Sequence, residues 1–314
     1  PVKRRSVILA LAVILLLTLT SFAQERADRF EQIFDASQDA GRLTARFLQL
    51  ITRMDEKSGD STILTSPDGK VMVIDGGNPS TFEDVDRALK ALGITRIDYL
   101  VASHPHVDHV GSFAQLIYNY EIGAVYTSEL EYTTSHYRNY MEAIENTKTP
   151  HIILAEGDSF MFGQHVKVEI LHPPAGIEYP ANYPQGATQF INNRSLVMKM
   201  TFKDSSFLFT GDVYVAAERD IIGRYGDKLK ADVLKVPHHG DSTSSSKSFR
   251  DAVSPKVAVM MHDAIADLRI FQNYSKAGAQ TFVTSVDGAV LVSTAGDGEY
   301  TIITQFDRVT DFLN

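Results

Sequence analysis

The 314-residue chain contains no cysteine. That excludes disulfides and lipid attachment through an N-terminal cysteine, and it leaves nitrogen and oxygen ligands for any bound metal. Basic charge is also scarce: 30 Lys and Arg face 39 Asp and Glu, a formal net charge of −9. Such a balance is a poor footprint for tight, sequence-independent DNA binding, and no strong nucleic-acid-binding patch is expected. A phosphate-bearing substrate stays open, because bound cations can dominate the local field. Low-complexity tracts are missing too, and no linker-like stretch interrupts residues 43–314. One large domain is therefore the simplest organisation.

The long hydrophobic run that does exist lies at the start. Lys3, Arg4 and Arg5 precede an apolar stretch from Val7 to Leu17, followed by the small residues Ser21 and Ala23. This pattern predicts a signal peptide over residues 1–23, cleaved after Ala23. The run is short against the ~20 residues of a bilayer span, so no stable span is expected after cleavage; an uncleaved anchor is the alternative. Removing the three basic residues from 30 leaves 27 against 39, a net of −12. Either way the domain is expected to be secreted or periplasmic.

Residues 24–42 read as a short helical lead-in, and residues 43–314 as the domain proper, with strand-like and helix-like stretches mixed. STILTSP and KVMVIDGG flank a Pro67-Asp68-Gly69 turn, and Ser80 with Glu83 predicts a capping box before the helix FEDVDRALKALG. HIILA and HVKVEIL read as strands joined by a turn at EGDSFMFG. Residues 173–193, with four prolines, read as a long functional loop. SLVMKMTF and SFLFTG read as a hairpin, and a later helix is expected from about Ile265 to Ala277. Hairpins mixed with helices predict sheets covered by helices, an α/β (α+β) class.

The chemistry concentrates at residues 103–112, SHPHVDHVGS. His104 and His106, two apart, can converge on one ion if the backbone is extended. Asp108 and His109 can aim at a second ion where the chain turns into the next helix. SFLFTGD places Asp212 directly after a hydrophobic strand, where a carboxylate can bridge two ions, and VPHHGD places His238 and His239 at the end of another. Imidazoles and carboxylates suit Zn²⁺, and Mn²⁺ less exclusively.

HxHxDH followed by a strand-end Asp resembles the metallo-β-lactamase superfamily. The finer resemblance is to the extracytoplasmic metallo-hydrolase domain of ComEC-type competence proteins and their free-standing relatives. It is carried from about residue 43 to 300 by STILTSPDGKVMVIDGG, SHPHVDHVGS, VEILHPP, NNRSLVMKMTFKDSSFLFTGD, LKVPHHGDSTSSS and PKVAVMM. It implies a single-domain αββα four-layer sandwich with a dinuclear centre along one edge. His104, His106, Asp108 and His109 match the HxHxDH ligands, Asp212 the bridging carboxylate and His238 the motif's ligand, with His239 a less certain one. Asp75 matches an acid that orients ligands from behind. Where many members carry a further histidine this chain has INNRS, so Asn192 and Asn193 are candidate oxygen donors. His262 in MMHDAIADLRI is a possible additional ligand, and His172 a weaker one.

Two divalent ions would bring the pKa of a bridging water from 15.7 toward ~7, making a hydroxide nucleophile with Asp108 and Asp212 as the catalytic carboxylates. The expected function is a secreted metal-dependent hydrolase of phosphodiesters in small molecules, nucleotides or DNA. The alternatives are lactam, lactone or thioester hydrolysis on the same fold, and a non-catalytic metal- or partner-binding module. STSSSKS (242–248), with Lys247, is a candidate phosphate-binding loop.

Overall fold

The structure, a computed structural model, describes residues 29–52 and 56–308. The signal peptide expected at residues 1–23 lies outside the described residues, as does the start of the lead-in. Among the described residues no helix is long and apolar enough to cross a membrane.

Two sheets face each other. The first has eight strands in the spatial order Thr301–Thr304, Val290–Thr294, Leu43–Phe47, Thr62–Thr65, Val71–Ile74, Arg96–Val101, Glu121–Thr127, His151–Ile153. The second has seven, in the order Gln280–Val283, Val257–Met260, Val233–Lys235, Ser205–Phe209, Val197–Phe202, Val166–His172, Ser159–Phe162. Successive strand residues point to opposite faces. Met72 and Ile74 join the core between the sheets, with Phe47, Met198 and Phe207. Val71 and Val73 turn outward onto a second core with Leu89, Phe113 and Tyr140, which come from helices Phe82–Ala91, Phe113–Asn119 and Ser135–Thr147. A third core sets Leu208, Leu234 and Ala258 against Ile221, Phe249 and Phe271 of the helices on the other side. Both sheets are covered on both faces, so their strands read as near-continuous apolar runs. This is the expected αββα sandwich.

Parallel pairing aligns the strand ends that matter. Val71–Ile74, Arg96–Val101 and Glu121–Thr127 run parallel in one sheet, and Ser205–Phe209, Val233–Lys235 and Val257–Met260 in the other. The carboxyl ends of such strands are where loops build sites. Asp75, His104, Asp212, His238 and His262 each lie within three residues of one of these ends.

Several local expectations need correction. The stretch EGDSFMFG is more than a turn: it contains the strand Ser159–Phe162, which pairs with Val166–Glu169, while HIILA belongs to the other sheet. The loop 173–193 holds a short helix, Thr188–Asn192. No side chain caps helix Phe82–Ala91 at Thr81; instead Asn78 accepts from Ser80 N and begins a 3-10 turn, Pro79–Thr81. Pro79 fixes that turn before the box can form. The late helix is shorter than expected, Leu268–Lys276, and starts where Asp267 accepts from Arg269 N. The lead-in is tied to the first sheet by a buried Arg46 of strand Leu43–Phe47, which binds both oxygens of Asp39 at 2.9 and 2.8 Å and the Ile33 carbonyl at 2.6 Å.

Candidate metal centre

The histidine cluster forms because the chain leaves strand Arg96–Val101 and turns at once into the short helix Val107–Val110, with His106 as its N-cap. His104 Nε2 and His106 Nδ1 converge to 2.9 Å, while Asp108 and His109 sit in the first turn of that helix. Gly59 makes room beside them. Its φ is +80°, and a Cβ there would lie 1.6 Å from the Asp108 carbonyl oxygen, so no other residue fits.

The opposite wall comes from two further strand ends. Gly211, at φ +50°, lets the chain pass Ser195, whose hydroxyl accepts from Asp212 N at 3.1 Å. His238 and His239 both have left-handed backbone, φ 47° and 56°. Two consecutive non-glycine residues in that region are strained, a condition found where a site dictates side-chain direction.

Asp212 stands at the centre. Its Oδ2 lies 3.2 Å from Nε2 of His109 and of His239, and 3.9 Å from Nε2 of His104 and of His238. Asp108 Oδ2 lies 3.6 Å from His239 Nε2 and 4.0 Å from His109 Nε2. Asp60, His109, Asp212 and His239 offer ligand atoms all within 4.8 Å of one another. Three of the imidazoles are aimed from behind. Asp75 binds His109 Nδ1 at 2.9 Å, Asp60 binds His239 Nδ1 at 3.0 Å, and Thr243 Oγ1 meets His238 Nδ1 at 2.6 Å. The result leaves Nε2 of His109 and His239 buried and facing carboxylate oxygens, with no well-aligned hydrogen bond among the described residues. Orphaned, preoriented imidazole nitrogens around carboxylates fit a divalent cation.

The electrostatics agree. Burial works against charge on His109, yet the carboxylates of Asp212, Asp75 and Asp108 push it up to about 10. His239 is raised in the same way, against burial, chiefly by Asp212 and Asp60. Burial likewise opposes charge on Asp108, but His109 and His239 hold its carboxyl well below the usual range. By contrast, burial brings His238 down to about 4. The field of the surrounding carboxylates thus favours positive charge at the two inner imidazoles.

His239, which the sequence pattern ranked below His238, is the member of that pair in the inner four-residue group; His238 sits further out, on the cleft wall. Asn193 is occupied elsewhere, its Oδ1 accepting from Tyr214 N at 3.0 Å. Asn192, on the cleft wall, has a buried Oδ1 with no hydrogen-bond partner among the described residues. His262 lies beside His239, ring to ring at 5.4 Å, but its Nδ1 accepts from Ala264 N. His172 bonds the Asn193 carbonyl at 2.7 Å and Arg224 at 3.2 Å, away from the centre. The 242–248 loop does not line the cleft: Glu218 accepts from Ser245 N and Ser246 N, and Lys247 pairs with Asp251.

Asp60 and Lys235 carry little signal in the sequence. What signal there is lies in a lysine inside the otherwise apolar strand Val233–Lys235 and in the aspartate of a Gly-Asp pair just before Thr62–Thr65. Above the centre opens a cleft of about 1000 Å³ lined by Lys57, His106, Asp108, Tyr132, Tyr214 and His238, among others.

Residues 54–177 match the profile of the metallo-beta-lactamase superfamily, so the chain carries a metallo-β-lactamase superfamily domain. Within it the chain is similar to competence proteins: 26% identical over 210 residues to competence protein ComA of Neisseria gonorrhoeae, covering 67% of this chain and 26% of that protein. It is 27% identical over 234 residues to ComE operon protein 3 of Bacillus subtilis strain 168, covering 67% and 28%. Protein YcaI of Escherichia coli K12 is 33% identical over 129 residues, covering 39% and 17%. The chain thus spans less than a third of each of these relatives' length. A solved metallo-beta-lactamase fold protein, YhfI of Bacillus subtilis, is similar at a TM-score of 0.48 and 11% identity over 77% of this chain and 95% of that one.

Proposed function

We propose that this chain is a divalent-metal-dependent phosphodiester hydrolase working outside the cytoplasm. The observation that carries the reading is Asp212 Oδ2, which faces four imidazole Nε2 atoms at 3.2 to 3.9 Å. His104, His106, His238 and Asp212 would hold one ion, with Asn192 Oδ1 beside them; Asp108, His109, His239 and Asp212 would hold the other. Bound there, divalent ions supply Lewis acidity and acidify a water for attack on phosphorus, and Zn²⁺ or Mn²⁺ suits this donor set.

The chain's own residues select the substrate. Lys57 lines the cleft, and its charge is felt by His106 and His238. An ammonium at that mouth draws anionic oxygens. Tyr132 lies 5.8 Å from the His106 ring and Tyr214 4.7 Å from the His238 ring. They offer apolar faces on either side of the reacting position, suited to a nucleoside or another flat leaving group. The similarity to competence proteins favours nucleotides or DNA among phosphodiesters, and the net charge of −9 argues against a duplex-tracking nuclease. The proposed extracellular or periplasmic placement rests on the leader expected at residues 1–23, with residues 24–42 proposed as lead-in and 43–314 as the hydrolase domain.

The test is a panel: the purified chain, loaded with Zn²⁺ or Mn²⁺, against bis(p-nitrophenyl) phosphate, an oligodeoxynucleotide, a lactam, a lactone and a thioester. Phosphodiester cleavage that Asp108→Ala abolishes supports the proposal. Turnover confined to the other esters or the lactam contradicts it, and so does metal binding without turnover.

A further inference from the structure

Lys235 is a cation placed where cations are costly. It is 4% exposed, between the two sheets and beneath the centre. Its Nζ pairs with Asp60 Oδ2, bonds the Gly211 carbonyl at 3.0 Å, and lies 3.5 Å from Asp212 Oδ1. Neither Lys235 nor Asp60 borders the substrate cleft; both border an interior gap of about 10 Å³, room for roughly one water. An apolar pair of similar volume would be no less stable here, so core packing alone does not call for the ion pair.

The two oxygens of Asp212 are divided by this arrangement. Oδ1 is turned to Lys235 and Oδ2 to the four imidazoles. The two oxygens of Asp60 are divided as well: Oδ1 on His239 Nδ1 and Oδ2 on Lys235. Asp60 thus lies close enough to the centre to serve as a ligand, yet both its oxygens are already engaged. We infer that Asp60 and Lys235 are a positioning pair: Lys235 holds Asp212 so that one oxygen is presented to the ions, and Asp60 aims His239 while neutralising Lys235. The inference rests on the reading that this centre holds divalent ions.

Charge arithmetic gives the pair a signature that a structural role lacks. Asp60→Asn leaves Lys235 uncompensated beside two cations, and zinc binding weakens. Removing Lys235 as well relieves that repulsion. The test is zinc titration of the full chain with metal content by mass spectrometry, comparing the unmutated protein, Asp60→Asn and Asp60→Asn/Lys235→Met, each checked for folding by circular dichroism. Two ions per chain are expected at saturation in all three. Affinity should fall roughly 10- to 100-fold in the single variant, the range for residues that orient ligands, and recover in part in the double, which relieves the repulsion but leaves Asp212 unheld. One ion fewer in Asp60→Asn would make Asp60 a ligand and overturn the inference, and so would a double variant weaker than the single one. A crystal structure of the zinc-loaded unmutated chain decides the same question without a variant. Asp60 should remain on Lys235, and an ion at about 2.0–2.2 Å from an Asp60 oxygen contradicts the inference. If the unmutated chain binds no ion, the metal-centre reading falls first and this inference with it; failure on phosphodiesters alone leaves it standing.

Discussion

His239 Nε2 lies 3.2 Å from Asp212 Oδ2, although the two residues come from the ends of different strands and His239 reaches that position only by adopting a left-handed backbone. Its neighbour His238, with the same backbone handedness, stays 3.9 Å away and faces the cleft. The two adjacent histidines therefore have separable effects. His239→Ala should remove one of two bound ions and lower kcat by about 10³-fold, on the scale of losing a main electrostatic contributor. His238→Ala should weaken only the other ion. Metal content and kcat measured on both variants check this; equal losses in the two would contradict the division.

Lys57 is predicted to act on substrate and not on metal. Lys57→Ala should lower kcat/KM for a phosphodiester by about 10- to 100-fold, the value of one or two charge-assisted contacts at about 1.4 kcal/mol per factor of ten. Metal stoichiometry and Tm should stay unchanged. A lowered metal content would show that its charge serves the centre instead.

The pair of Arg46 and Asp39 predicts a stability effect far from the chemistry. Arg46 is fully buried and its guanidinium grips both Asp39 oxygens. Arg46→Met strands a buried carboxylate and should cost about 3–5 kcal/mol. The double change Arg46→Met/Asp39→Leu should recover much of it. Urea unfolding of both variants measures the difference.

The pH dependence of stability has a source in His172. Burial, and then the charge of Arg224, brings its pKa down to about 4, against the bond to the Asn193 carbonyl, which works the other way. The ordinary value is 6.5. Above pH 6.5 the ring is neutral in both folded and unfolded chain. As pH falls below 6.5 the unfolded chain takes up a proton that the folded one refuses, so stability drops until about pH 4, by about 3 kcal/mol in all. His172→Asn should flatten this part of the profile in urea titrations across pH 4 to 7. An unchanged slope would contradict it.

Much of this was legible in the sequence for a physical reason. A sheet buried on both faces writes itself as apolar runs, and a site at strand ends puts its ligands just after those runs, as with Asp212 after SFLFTG. Asp60 and Lys235 were nearly hidden because their partners are remote in the chain: Lys235 meets Asp60 across 175 positions, and locally only a Gly-Asp pair and a lysine closing an apolar strand mark them. The rank of His238 over His239 depended on backbone handedness, which two adjacent identical residues do not reveal. The 242–248 loop looked like an anion cradle because its donors are visible in the sequence, while Glu218, which takes two of them, comes from the preceding helix Val215–Tyr225.

The most direct measurement is hydrolysis of bis(p-nitrophenyl) phosphate by the chain as purified, after chelation, and after metal return, with ion content followed throughout. A two-ion hydrolytic centre on Asp212 predicts two ions per chain, with turnover lost on chelation and restored by Zn²⁺ or Mn²⁺. Turnover that survives complete removal of the ions, or two bound ions with no turnover, would contradict it.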